Sequence, residues 1–131
     1  MSRLSRVTLG QALRYRGGQP MVIWLLHRIT GLGIVLFVGM HVLAAFMLYS
    51  TEGGATYAIA DALTSFYETL WVQIIVLFLV LFHAINGLRI AILDMWPPLI
   101  HYYREAMWVQ WALFLPLFLV PAALMVLHGT I

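Results

Sequence analysis

Three runs of mostly apolar residues, Met21 to Tyr49, Leu70 to Leu93 and Met107 to Leu127, constrain this chain more than any other feature. Each is long enough, at ~1.5 Å per residue, to cross a hydrocarbon layer of ~30 Å as a helix. A water-soluble fold could not hide them. With 63% apolar and 9% charged residues, the chain has too little polar surface to coat a domain of its size, since soluble domains carry about 25% charge. The sequence predicts an all-α integral membrane protein: one domain over residues 1–131, with transmembrane helices at 21–49, 70–93 and 107–127 and an N-terminal segment at 1–20.

The arginines set the orientation, because basic residues collect on the cytoplasmic side. Arg3, Arg6, Arg14 and Arg16 precede the first run, Arg28 stands at its entrance, and Arg89 and Arg104 flank the second loop. The loop Ser50 to Thr69 has no arginine and carries Glu52, Asp61 and Glu68. The N-terminus and second loop are therefore expected in the cytoplasm, and the first loop and C-terminus outside. No apolar core directly follows the start, so the N-terminal segment reads as retained and not as a secretory signal. Pro97 and Pro98 should end the second helix, since proline lacks a donor and restricts the residue before it. Pro116 and Pro121 fall inside the third span, where they are expected to bend it. The basic residues are scattered beside apolar runs and form no patch for nucleic acid.

The absence of cysteine excludes disulfides, thiolate zinc sites and iron–sulfur clusters, so that any metal must use histidine, methionine or carboxylates, and five histidines make that route possible. Ionisable residues inside spans are costly in lipid and face the protein or a functional group. His41 and His83 are such residues. At 100° per residue, His27, Thr30, Gly31, Ile34, Val38, His41 and Ala45 share one sector of the first helix, and His83, Asn86, Gly87, Ile90 and Asp94 share a face of the second. A membrane histidine either bonds a neighbouring helix or ligates a cofactor, and the residues alone leave both open. A bis-histidine haem needs its two imidazoles at one depth. Measured from Arg28, His41 lies ~20 Å deep; measured from Arg89, His83 lies ~9 Å deep. A mismatch of ~10 Å argues for two separate groups, each completed by a histidine of a second chain. His101 and His128 lie in a loop and at a helix end, where imidazole is commonplace.

Two stretches carry a resemblance. His27-Arg28-Ile29-Thr30-Gly31 opens the first helix, and Phe82-His83-Ala84-Ile85-Asn86-Gly87-Leu88-Arg89, followed by Asp94, closes the second. The pairing of H-R-x-S/T-G with a downstream H-x3-G-x-R-x4-D resembles the cytochrome b membrane anchor subunit of succinate dehydrogenase, complex II, from about Tyr15 to Trp96. The resemblance implies haem b ligated by His83 and a quinone site near Arg28. Trp24 stands where one-haem members place a quinone-contacting serine, so that Trp24 and His27 join Arg28 as quinone-site candidates. An aromatic there could stack on a quinone ring but not donate to it. His41 is similar to the outer ligand of members with two haems and two anchor chains, which implies a second haem b; such members are often linked to menaquinone. Arg89, Asp94 and Arg104 become candidates for haem propionates or subunit docking.

By the same resemblance, the expected partners are a flavoprotein that oxidises succinate, an iron–sulfur subunit and a second anchor subunit supplying the other haem ligands. The chain would be a non-catalytic electron-transfer subunit in a prokaryotic plasma membrane. Two rivals remain on the sequence. The same complex could run as a fumarate reductase, or the chain could be a non-redox transporter or assembly subunit whose histidines only join helices.

Overall fold

A computed structural model describes residues 18–50 and 54–129, and every described element is helical. The elements are α1 (Gly18–Ser50), α2 (Ala55–Tyr67), α3 (Leu70–Met95), a 3-10 helix (Pro97–Tyr102) and α4 (Tyr103–His128). Gly18–Tyr49, Leu70–Met95 and Pro97–His128 are long and apolar enough to span a membrane, with mean hydropathies of 2.3, 2.2 and 2.0. The chain is an all-α integral membrane protein with three such helices. Arg3, Arg6, Arg14, Arg16 and Glu52, used above to orient it, lie outside the described residues.

The prolines act at α3 as their chemistry requires. α3 ends at Met95, Trp96 turns out of helical geometry at φ −125°, ψ 82°, and the 3-10 helix begins on Pro97. In α4, the helix continues through both Pro116 and Pro121, which membrane helices tolerate because neighbouring groups take up the freed carbonyls. The segment read as a loop between the first two spans contains a helix, α2, of 13 residues. Its entry is Gly54 at φ +100°, a conformation open to glycine and strained for other residues. α2 packs chiefly along α1, where Ala44 and Ala60 are both fully buried.

α3 lies between α1 and α4, and the two seams differ. Toward α1 it approaches over glycines: a Cβ on Gly33 would come within 2.8 Å of Leu79 Cδ1, and one on Gly31 within 2.9 Å of His83 Cε1. Small residues give membrane helices this closeness, because dispersion and hydrogen bonds, not the hydrophobic effect, hold them together. Toward α4 the seam is aromatic. Phe78 and Phe82 meet Phe114 edge-on at 5.4 and 5.6 Å, and Phe114 stacks on Phe118 at 5.6 Å. Such pairs contribute about 0.5–1.5 kcal/mol each beyond their buried area. Ile23, Phe82, Met107 and Phe114 make the small buried core. Most remaining apolar side chains are exposed, with Leu32 at 73% and Val35 at 71%.

Candidate functional site

The two sequence stretches meet at the arginine-bearing end of the α1–α3 pair. Gly31 removes the side chain that would collide with His83, and Gly87 faces His27, whose Cε1 would lie 3.6 Å from a Cβ there. The His27 and His83 rings therefore stack, with centroids 4.0 Å apart and planes 6° from parallel. His83 Nδ1 lies 3.1 Å from the His27 carbonyl oxygen and 3.3 Å from Thr30 Oγ1. Thr30, itself buried, donates its hydroxyl to the same carbonyl at 3.0 Å. A carbonyl only accepts, so His83 bonds to it by carrying its proton on Nδ1. That choice leaves the Nε2 lone pair as the ring's free donor atom.

Beside this pair is a cavity of about 290 Å³ lined by Pro20, Trp24, His27, Arg28, Asn86, Arg89, Ile90, Leu93, Asp94, Ile100 and Tyr103. It gathers the quinone-site candidates Trp24, His27 and Arg28 with Arg89 and Asp94. One face of the Trp24 indole is covered by the Arg28 guanidinium, 4.0 Å from the ring centroid, a cation–π contact. The guanidinium of Arg89 lies 5.2 Å from the Tyr103 ring centroid. Arg104 is exposed on the first turn of α4 and does not line this cavity.

Several buried polar atoms here lack a partner among the described residues: His27 Nδ1, both amide atoms of Asn86, and Nε and Nη1 of Arg89. Asn86 is completely buried. Buried polar groups are almost always hydrogen-bonded, so this cluster has capacity for a polar group from outside the chain. Asn86, Tyr103 and Gln110 had no assigned role in the sequence reading. A glutamine in the middle of an apolar run was a usable signal for Gln110.

His41 lies elsewhere. It is exposed, with ring centroids 6.0 Å from Phe37 and 5.3 Å from Tyr67 of α2. Because His83 lies against Gly31, the two imidazoles are separated by the ten residues from Gly31 to His41, or ~15 Å along α1. This exceeds the ~10 Å reckoned from the arginines. The reason is register: Gly87 faces His27, so Arg89 lies about two residues nearer the helix end than that contact and Arg28 one residue farther in. Equal depth for the two arginines was the wrong reference. Among the described residues, no three metal-binding side chains of the His, Cys, Asp and Glu set come together.

Three membrane-spanning helices, a half-buried stacked histidine pair and an adjoining cavity carrying Arg28, Arg89 and Asp94 define a helical integral membrane protein with a polar site between two of its helices. Residues 6–123 match the family described as the succinate dehydrogenase/fumarate reductase transmembrane subunit. The chain is also 37% identical over 115 residues to the succinate dehydrogenase 2 membrane subunit SdhC of Mycobacterium tuberculosis strain ATCC 25618 / H37Rv, a match taking in 86% of this chain and 80% of that protein. The chain belongs to the succinate dehydrogenase/fumarate reductase transmembrane subunit family, as a cytochrome b membrane anchor subunit.

Proposed function

We propose that this chain binds haem b through His83 and helps form a quinone site, so that electrons from succinate oxidation in a flavoprotein reach membrane quinone through an iron–sulfur subunit. The observation that carries the proposal is the His83 Nδ1 contact with the His27 carbonyl at 3.1 Å. Metal-binding histidines are commonly held in this way, the second ring nitrogen donating to a carbonyl so that the other presents its lone pair in a fixed direction. The residues present fit an axial haem ligand on that ground, and the uncovered Gly31 backbone gives the ring its place. Haem b supplies a one-electron carrier.

His27, stacked on His83 with centroids 4.0 Å apart, is placed to support that ring and not to hold the haem opposite it, and His41 is ~15 Å away along α1; a second histidine would come from another chain. A second anchor subunit is therefore part of the proposal. His41 is assigned to a second haem b at the opposite end, also completed by that partner, as the two-haem arrangement requires.

In the 290 Å³ cavity, Arg28 is the cation that meets a quinone oxygen as negative charge develops on it. Trp24 holds the Arg28 guanidinium in place and presents its other face as a wall. Arg89 is assigned to a haem propionate, which its unpartnered donors suit, with Asp94 as its neutralising or docking neighbour. Arg104, outside the cavity, is assigned to docking the soluble subunits. We assign the arginine-bearing end to the cytoplasmic face of a prokaryotic plasma membrane, and menaquinone as the acceptor.

The test is a dithionite-reduced minus oxidised spectrum of the purified complex, with haem b measured against covalent flavin. Two haems per flavin are expected. One haem would reduce His41 to a packing residue, and none would return both histidines to a helix-joining role.

A further inference from the structure

On the other side of Arg89, between α3 and α4, is a second cavity of about 370 Å³ in which the proposed haem and quinone chemistry gives a role to Arg89 alone. Its walls are almost wholly apolar, from Ile85, Leu88 and Ile92 of α3 to Val109 and Leu113 of α4. Apart from the Tyr102 phenol, three polar side chains break the pattern: Arg89, Glu105 and Gln110. Gln110 is 2% exposed, and neither of its amide atoms has a partner among the described residues. Arg89 also has Nε and Nη1 without partners. Arg89 and Glu105 carry opposite charges on opposite walls of the groove, yet among the described residues no ion pair joins them.

The depths of these groups have an order. Tyr103 lies over Arg89, so Glu105, two residues further along α4, is ~3 Å from the same level. Gln110 is five residues deeper than Glu105, ~7.5 Å along the helix, and Leu113 eight residues deeper, ~12 Å. The mouth, with Leu99 and Tyr102 of the 3-10 helix, is the region of aromatic and charged residues that marks the headgroup level of a bilayer. From the mouth inward the groove therefore offers a cation beside an anion, then an amide, then hydrocarbon.

We infer that this groove is a binding site for one zwitterionic aminophospholipid. Its phosphate faces Arg89, its ammonium faces Glu105, an ester carbonyl accepts from the Gln110 amide, and an acyl chain lies along Ile85, Leu88, Val109 and Leu113. The paired but unjoined charges select the zwitterion. A headgroup that is only anionic leaves Glu105 facing like charge, and a quaternary ammonium has no N–H to donate to the carboxylate. The buried amide explains why the occupant has a polar atom below its headgroup, since a buried amide left without a hydrogen bond is destabilising. The site shares Arg89 with the proposed propionate contact but contains neither proposed haem ligand, so its failure would leave the His83 and His41 assignments untouched.

The test uses the purified complex, delipidated in detergent and equilibrated with phosphatidylethanolamine, phosphatidylglycerol or phosphatidylcholine, with retained lipid counted by native mass spectrometry. One phosphatidylethanolamine per copy of this chain is expected, at least tenfold preferred over the other two. Gln110→Leu should lower retention severalfold, and Val109→Trp, which fills the groove, should abolish it. Glu105→Gln should remove the preference over phosphatidylglycerol while leaving total retention similar, a change that mere loss of packing would not produce. The haem spectrum should be unchanged in all three variants, which reports that the complex is assembled. Retention that is absent, or equal for all lipids, or unaltered in the variants overturns the inference. So does a crosslink from position 109 to the second anchor chain, which would show a protein helix over the groove.

Discussion

At the arginine-bearing end of the α1–α3 pair, His83 is held on three sides by its own chain: stacked on His27, seated over Gly31, and bonded through Nδ1 to a backbone carbonyl. At the opposite end, His41 is exposed, and its ring contacts among the described residues are with Phe37 and Tyr67. The difference separates a ligand whose direction is set before any cofactor arrives from one whose direction depends on what covers it. It follows that the two proposed haem positions should respond differently to changes in this chain and in its partner.

The sharpest way to break that comparison is His83→Ala. It should remove one spectral component of the reduced complex completely while the other persists, and His41→Ala should do the converse. Loss of all haem in one variant with no change in the other would merge the two positions into one. Arg28→Ala addresses the neighbouring cavity. Succinate–quinone activity should fall on the order of 100- to 1,000-fold, as when one charge-stabilising donor is removed. Succinate–dye activity, which bypasses the membrane site, should stay near its original value.

Gly31→Val tests whether the crowding around His83 matters. A Cβ there would lie 2.9 Å from His83 Cε1, and overpacking of this kind costs about 1–3 kcal/mol. The ratio of the His83-dependent haem to flavin should fall severalfold while the His41-dependent component is retained, and an unchanged ratio would mean that the seam between α1 and α3 is looser than described. Thr30→Val has the smallest expected effect. It removes one partner 3.3 Å from His83 Nδ1 but leaves the carbonyl, so haem release in a thermal ramp should come slightly earlier, in keeping with the roughly 0.5–1.5 kcal/mol of a single hydrogen bond.

Much of this was legible in the sequence because it depends on local rules. Span lengths follow from runs of apolar residues, the end of α3 from Pro97 and Pro98, and the two polar, small-residue stripes from helical spacing within each motif, though not which residue of one stripe meets which of the other. What was not legible depends on register between helices. Treating Arg28 and Arg89 as equal depth markers underestimated the separation of the two histidines, because only the packing of Gly87 against His27 fixes how α3 slides along α1. α2 was overlooked because its segment was read for charge alone, although Ala60, Leu63 and Tyr67 already recur at helical spacing. Gln110 was hidden within an apolar run, and its importance appears only when the Arg89 side of α3 is seen to share a cavity with it.

That the acceptor for His83 is a main-chain oxygen has a consequence for how this site can change over evolutionary time. Any residue at position 27 supplies the same carbonyl, so mutational drift there can alter the stacked ring without erasing the bond that aims the ligand. An insertion or deletion of one residue inside α1 between His27 and Gly31, or inside α3 between His83 and Gly87, would instead turn one partner around its helix by 100° and destroy the alignment at once. The site is therefore robust to substitution and fragile to changes of length within the two motifs, while the connections between the helices can absorb them, and lineages should show variety at position 27 long before they show a gap inside either motif.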